Sequence, residues 1–126
     1  DSIPVAKANL TGEVNDWKEK IIQLLQLSKA YEDPELSLAQ VAKQLQSNPS
    51  FISKMVNQGF GVNFNDFVNK FRIEAVKEML KKGEQKKQTL LGIAFDCGFN
   101  SKATFNRAFK KATGLSPKEW IEKKII

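Results

Sequence analysis

The chain has 126 residues, a single cysteine, no histidine and a formal net charge of +6. That excludes disulfides, the usual zinc arrangements and histidine-activated nucleophiles, and the length suits about one domain. No apolar run approaches the roughly 20 residues that cross a bilayer, and no cleavable secretion signal is present. Any membrane-spanning or sensory part is therefore expected outside this piece, which opens on Asp1 rather than Met. Charge is divided unevenly: residues 1–36 hold 4 basic and 7 acidic side chains, net −3, and residues 37–126 hold 16 and 7, net +9. The positive excess is what counterion release at nucleic acid rewards, although an acidic partner would reward it too.

Residues 1–10 lack periodicity and contain Pro4, which predicts a frayed lead-in. From about Gly12 to Ala30, the residues Val14, Trp17, Ile21, Leu24, Leu25 and Ser28 follow one helical face. Asp33-Pro34 is expected to end that helix, because the residue before proline disfavours the helical region. The stripe must be buried, either on the following domain or on another subunit, and the sequence leaves both open.

Ser37 opens a second helix with Gln40 completing a capping box. Leu38, Val41, Ala42 and Leu45 stand at i, i+3, i+4 and i+7, and a break at Gln46 to Asn48 follows. Asn48-Pro49 then starts a helix with Ile52, Met55 and Val56 on its apolar side, and Gly59 and Gly61 bracket its end. A longer helix is predicted over about 65–82, capped by Asn63. Its buried side is expected to comprise Phe64, Phe67, Val68, Phe71, Ala75, Met79 and Leu80, with Gly83 as its stop.

The earlier pattern then returns. Leu90, Ile93, Ala94 and Cys97 reproduce the first stripe at an offset of 52, and Cys97 is read as a small core residue. Gly98 suits a left-handed helix end, with Phe99 covering the turn. Asn100 or Ser101 caps a helix whose apolar side is Phe105, Ala108, Phe109 and Ala112, at an offset of 53 from its counterpart. Ser116-Pro117-Lys118-Glu119 opens a last short helix with Trp120. No convincing strand is found. The expected fold is all-α: two helix-turn-helix subdomains, at about 37–60 and 89–112, joined by the long linker helix and preceded by an N-terminal amphipathic helix. A terminal helix follows at about 117–123. Residues 1–35 form the lead-in and 36–126 the main domain.

Helix, tight turn, helix, given twice, suggests a tandem DNA reader in which the second helix of each pair enters the major groove. Burying the apolar stripes leaves Ser50, Ser53, Lys54 and Asn57 outside on the first reader, and Lys102, Ala103, Asn106, Arg107 and Lys110 outside on the second. Lys54 and Arg107 occupy equivalent positions, and both are expected to point outward in the same direction. Arg107 can bond guanine O6 and N7 bidentately; Lys54 does something similar with less angular precision. Asn106 can pair with adenine, and Ala103 or Phe51 can touch a thymine methyl, unless Phe51 packs beneath its helix instead. Lys102, Lys110 and Lys111 suit phosphate. The 18-residue linker helix rises roughly 27 Å, which with part of a helix diameter at each end nears the ~34 Å between successive major grooves. Carboxylate neighbours such as Glu32 with Asp33, or Glu74 with Glu78, look solvated, so no enzyme is expected. The rival reading is a helical protein-interaction module for an acidic partner.

The chain also resembles the DNA-binding domain of AraC/XylS-type transcription regulators. The resemblance runs over about residues 36–121. Its most specific part is Ile93-Ala94, Gly98-Phe99, Phe105, Arg107, Phe109-Lys110, Gly114, Ser116-Pro117 and Trp120, with Asn48-Pro49-Ser50-Phe51-Ile52-Ser53, Gly61, Arg72 and Leu80 upstream. It implies a seven-helix domain that controls transcription, usually by contacting RNA polymerase. Its base-reading sites fall on Ser50, Ser53 and Lys54, and on Lys102, Ala103, Asn106 and Arg107; Asn57, Lys110 and Lys111 are left for phosphate. Thr104, Trp120 and Ile121 depart from the commoner serine, tyrosine and arginine. Members usually carry a second domain that binds a ligand, dimerises or receives a phosphorylation signal. A homodimer through the N-terminal helix or an upstream domain is thus one expectation, and neither a cofactor nor a small-molecule ligand is expected in this piece. The lead-in through Tyr31-Glu32-Asp33-Pro34 looks like linkers of membrane-attached or sensor-coupled members from Bacteroidetes-like bacteria; this piece is expected in the cytoplasm.

Overall fold

A computed structural model describes the backbone of residues 2–124 and the side chains of residues 12–124. Seven α-helices follow in order among the described residues: α1 Ser2–Leu27, α2 Leu38–Gln44, α3 Pro49–Phe60, α4 Phe64–Lys81, α5 Leu90–Asp96, α6 Lys102–Thr113 and α7 Pro117–Lys124. Single 3-10 turns occupy Ala30–Glu32 and Glu84–Lys86, and no strand is present among the described residues. The chain forms two compact units. One takes in the residues up to Ala30 together with Glu35–Phe67; the other consists of Tyr31–Pro34 and the chain from Val68 onward.

In the first unit α1 starts at Ser2 rather than near Gly12. Pro4 lies in its first turn, where a missing N–H forfeits no helical bond, so the proline did not delay the helix. The helix also stops earlier than Pro34 alone requires. Ser28 donates its hydroxyl to the Leu24 carbonyl, and Lys29 takes a left-handed φ of 52°. Ile21 and Leu25 are buried, and α1 packs against α3. Trp17 meets Phe51 edge-on at 5.0 Å between ring centres, and the Lys18 ammonium sits 5.2 Å over the Phe60 ring. The capping box on α2 is complete: the Ser37 hydroxyl accepts from the Gln40 amide at 3.2 Å, and the Gln40 side chain accepts from the Ser37 amide at 3.0 Å. Asn48 Oδ1 accepts from the Phe51 amide at 2.9 Å, with Pro49 opening α3. Gln46, at φ 55°, turns the chain between these helices.

The second unit is built around Ile73, Val76, Leu80, Ile93, Ala94, Cys97, Phe99, Phe105, Phe109 and Trp120. Its aromatic rings form a chain: Phe99 to Phe105 at 5.3 Å, Phe105 to Phe109 at 5.8 Å and Phe109 to Trp120 at 5.8 Å. Such tilted and edge-on pairs contribute roughly 0.5–1.5 kcal/mol each beyond the area they bury. Cys97 is a core residue 3.5 Å from the Met79 sulfur, and burial pushes its thiol up to about 12. Two stripes differ from expectation. On α6 the apolar face ends at Phe109, and Ala112 is exposed. On α4 the buried residues are Phe64, Phe67 and Val68, then Ile73, Val76 and Leu80, while Phe71, Ala75 and Met79 are half-buried. At 3.6 residues per turn the six-residue step from Phe67 to Ile73 rotates the buried face by about 120°. One helix serves two cores, so a single stripe could not describe it.

Candidate nucleic-acid interface

Each candidate reading helix is fixed by its own apolar side. Ile52, Met55 and Val56 turn into the first unit, which leaves Ser50, Lys54 and Asn57 of α3 exposed and Ser53 half-buried. Phe51 is also half-buried and engaged with Trp17, the packing that one of its two expected roles requires. Gly61, at φ 71°, ends α3 by donating its amide to the Asn57 carbonyl at 3.0 Å. A Cβ on Gly59 would stand 2.6 Å from Lys18 Cγ, which shows how closely α1 crosses α3.

In the second unit Phe105 and Phe109 anchor α6, and Lys102, Ala103, Asn106, Arg107, Lys110 and Lys111 are exposed. Of the two candidate caps, Ser101 is the one used: its Oγ accepts from the Thr104 amide at 3.1 Å and donates to Thr104 Oγ1 at 2.9 Å. Arg107 Nη2 in turn reaches Thr104 Oγ1 at 3.5 Å. Thr104 is thus a neighbour of Arg107, although its sequence position stands out only as a departure from serine. The signal that would have found it is its position three residues before Arg107, on the same side of the helix. Within the described residues Lys54, Lys102 and Arg107 form no ion pair, since the ion pairs involve Lys77, Lys81 and Lys87, each with a glutamate three residues earlier. Their charge is therefore not already neutralised by a neighbouring carboxylate.

Around the turn into α6 the backbone is closely constrained. Gly98, at φ 109°, and Phe99 donate to the carbonyls of Phe95 and Ala94, both at 3.1 Å, and Phe99 is buried. Downstream, Thr113 Oγ1 donates to the Phe109 carbonyl at 2.8 Å and accepts from the Leu115 amide at 3.1 Å. A reciprocal Ser116–Glu119 cap then opens α7, and the two hydrogen bonds to Ser116 hold the Glu119 carboxylate below the ordinary range. Burial lowers the Arg72 guanidinium from its usual value, with the Asp33 carboxylate acting in the opposite sense.

Two helix-turn-helix pairs, each presenting a cationic residue at the corresponding place on its second helix, define a class: a tandem helix-turn-helix protein. A family described as a helix-turn-helix domain matches residues 41–123, and the chain belongs to this AraC-type helix-turn-helix family of DNA-binding transcription regulators, which is not an enzyme class. It is 31% identical over 102 residues to an uncharacterised HTH-type transcriptional regulator of Staphylococcus aureus (strain COL), covering 81% of this chain and 13% of that protein. It is 26% identical over 92 residues to the uncharacterised HTH-type transcriptional regulator YtdP of Bacillus subtilis (strain 168), covering 73% and 12%. The chain thus spans only about an eighth of the length of these relatives. Among solved structures it is similar to the C-terminal domain of AraT, a response regulator from Geobacillus stearothermophilus, with a TM-score of 0.70, 29% identity and coverage of 90% of this chain and 86% of that one. The C-terminal domain of the two-component response regulator yesN from Fusobacterium nucleatum gives a TM-score of 0.69 at 27% identity, covering 82% and 96%. No helix among the described residues is long and apolar enough to cross a membrane.

Proposed function

We propose that this chain reads duplex DNA with α3 and α6, each entering a major groove, the two grooves being successive on one duplex. The observation that carries the reading is the sealing of both helices' apolar faces while Lys54 and Arg107 stay exposed at equivalent positions. The 18-residue length of α4, about 27 Å of rise, supports placing the readers in neighbouring grooves. Arg107 takes guanine, Asn106 adenine and Ala103 a thymine methyl. Ser50, Ser53 and Lys54 supply the first reader's base contacts, and Lys102 adds to those of the second. Asn57, Lys110 and Lys111 hold phosphate, which contributes affinity without sequence information. Short hydroxyls at Ser50 and Ser53, the latter half-buried, make the first reader the less discriminating one.

On this reading the piece described here works in the cytoplasm, regulating transcription through contact with RNA polymerase, and the whole protein dimerises through α1 or through a domain upstream. The deciding experiment is a mobility-shift series on sites selected from a randomised duplex pool. Arg107→Ala is expected to relax preference at one base pair by about 1–3 kcal/mol. If Arg107→Ala weakened every sequence equally, the base-reading role would fall. If no duplex were bound at low salt, the DNA reading as a whole would fall in favour of an acidic protein partner.

A further inference from the structure

Four residues of the connection between α1 and α2 do not belong to the unit on either side of them. Tyr31–Pro34 lies in the second unit, whereas Ala30 and Glu35 belong to the first. Arg72 holds this strap. Its Nε donates to the Tyr31 carbonyl at 2.8 Å and its Nη2 to the Asp33 carbonyl at 2.9 Å, while Nη1 is steadied by Asn69 Oδ1 at 3.1 Å. The guanidinium carbon also stands 5.9 Å from the centre of the Phe99 ring, and the Tyr31 ring stacks on Phe71 at 6.2 Å. Three donors leaving one plane in three directions are an arginine's geometry; a lysine ammonium does not reproduce it.

The strap touches the turn that leads into α6. A Cβ added to Gly98 would lie 2.1 Å from the Tyr31 carbonyl oxygen and 2.7 Å from Arg72 Nε. Phe99, under the guanidinium, packs in turn on Phe105 of α6. Two contact routes therefore run from the strap to α6, one through the Gly98 backbone and one through Arg72 and Phe99.

We infer that the strap Tyr31–Pro34, locked by Arg72, is a positioning element of the second reader, setting the seat of the α5–α6 turn so that a pull on the chain before Tyr31 is delivered to α6. This rests on the reading of α6 as a DNA reader. Arg72 is a positioning residue: it acts on the DNA only through the turn it holds.

The test uses the full chain and the variants Arg72→Lys and Asn69→Ala, with amide hydrogen exchange and a base-substitution profile over the selected site as readouts. Arg72→Lys is expected to speed exchange at residues 31–33 and at 97–101 together, by tenfold or more, while Val41 and Ile52 in the first unit stay protected. Discrimination at the base pairs sensitive to Arg107→Ala should fall at least threefold, and that at pairs sensitive to Lys54→Ala should not change. Asn69→Ala should give the same pattern at smaller size. A merely structural role would lower all affinities alike without favouring either half-site. The inference is overturned if the strap loosens and the turn does not, if both loosen and the base profile stays intact, or if neither variant alters exchange in the strap. Should Arg72→Lys unfold the second unit, the Asn69→Ala pattern decides by the same criteria. A flat profile for Arg107→Ala itself would instead reject the DNA reading, and the exchange data would still judge the coupling of strap to turn.

Discussion

Replacing Gly98 with alanine combines two penalties that Gly114→Ala separates. Both glycines have positive φ, 109° and 78°, where an L side chain is strained. At Gly114 a Cβ would meet no atom within 4 Å, so only the conformational penalty applies, about 1–2 kcal/mol. At Gly98 the φ lies farther from the left-handed minimum, and the new carbon would stand 2.1 Å from a backbone oxygen, which cannot rotate aside as a flexible side chain would. The strap must move, and with it goes the Arg72 hydrogen bond to Tyr31, a charged contact worth about 1.5–3 kcal/mol. Gly98→Ala should therefore cost about 2 kcal/mol more than Gly114→Ala. At roughly 4–8 °C per kcal/mol for a domain of this size, the two variants should differ by about 8–16 °C in Tm. Thermal and urea melts followed by circular dichroism measure this directly. Two variants melting within a degree or two of each other would show that the strap is not seated against the turn as described.

Other expectations concern charge, capping and pH. Lys110→Ala should weaken binding to all duplexes alike and reduce the slope of log affinity against log salt by about 0.9, in a salt titration of the same mobility shifts. Ser101→Ala removes the cap on α6 and should lower stability by about 1 kcal/mol in urea melts, with Ser101→Gly costing less. The Cys97 thiol keeps its proton to about 12 in the folded chain and to about 9.0 when exposed, so the folded state is favoured fully below pH 9 and loses stability as pH rises from there. The loss should approach about 1.4 kcal/mol per pH unit, and melts of the wild type set against Cys97→Ala isolate it from the lysines.

The helix-turn-helix pairs were legible because each rests on local chemistry. Ser37 with Gln40, Asn48 with Pro49, and Ser116 with Glu119 form caps within four residues of chain, and the i, i+3, i+4, i+7 stripes give the inward faces of α2 and α5. What stayed hidden depends on distant partners. Ile73 and Val76 were missed because α4 buries one face with Phe64 and Phe67 and another with Leu80, which no single period encodes. The strap was invisible because its ligands are carbonyl groups, which every residue has, and the arginine that finds them lies 41 and 39 positions away. The exposed residues of α6 followed directly from the stripe that buries Phe105 and Phe109; the Thr104 contact depends on which rotamer Arg107 adopts, which a residue pattern does not specify.

The candidate contact residues of the two helices are chemically unlike, Ser50, Ser53 and Lys54 on α3 and Lys102, Ala103, Asn106 and Arg107 on α6. A palindrome bound by twin subunits looks the same from both ends. On the proposed reading, the stretch of duplex held by one polypeptide has a head and a tail, so turning that stretch around beside a promoter writes a different instruction.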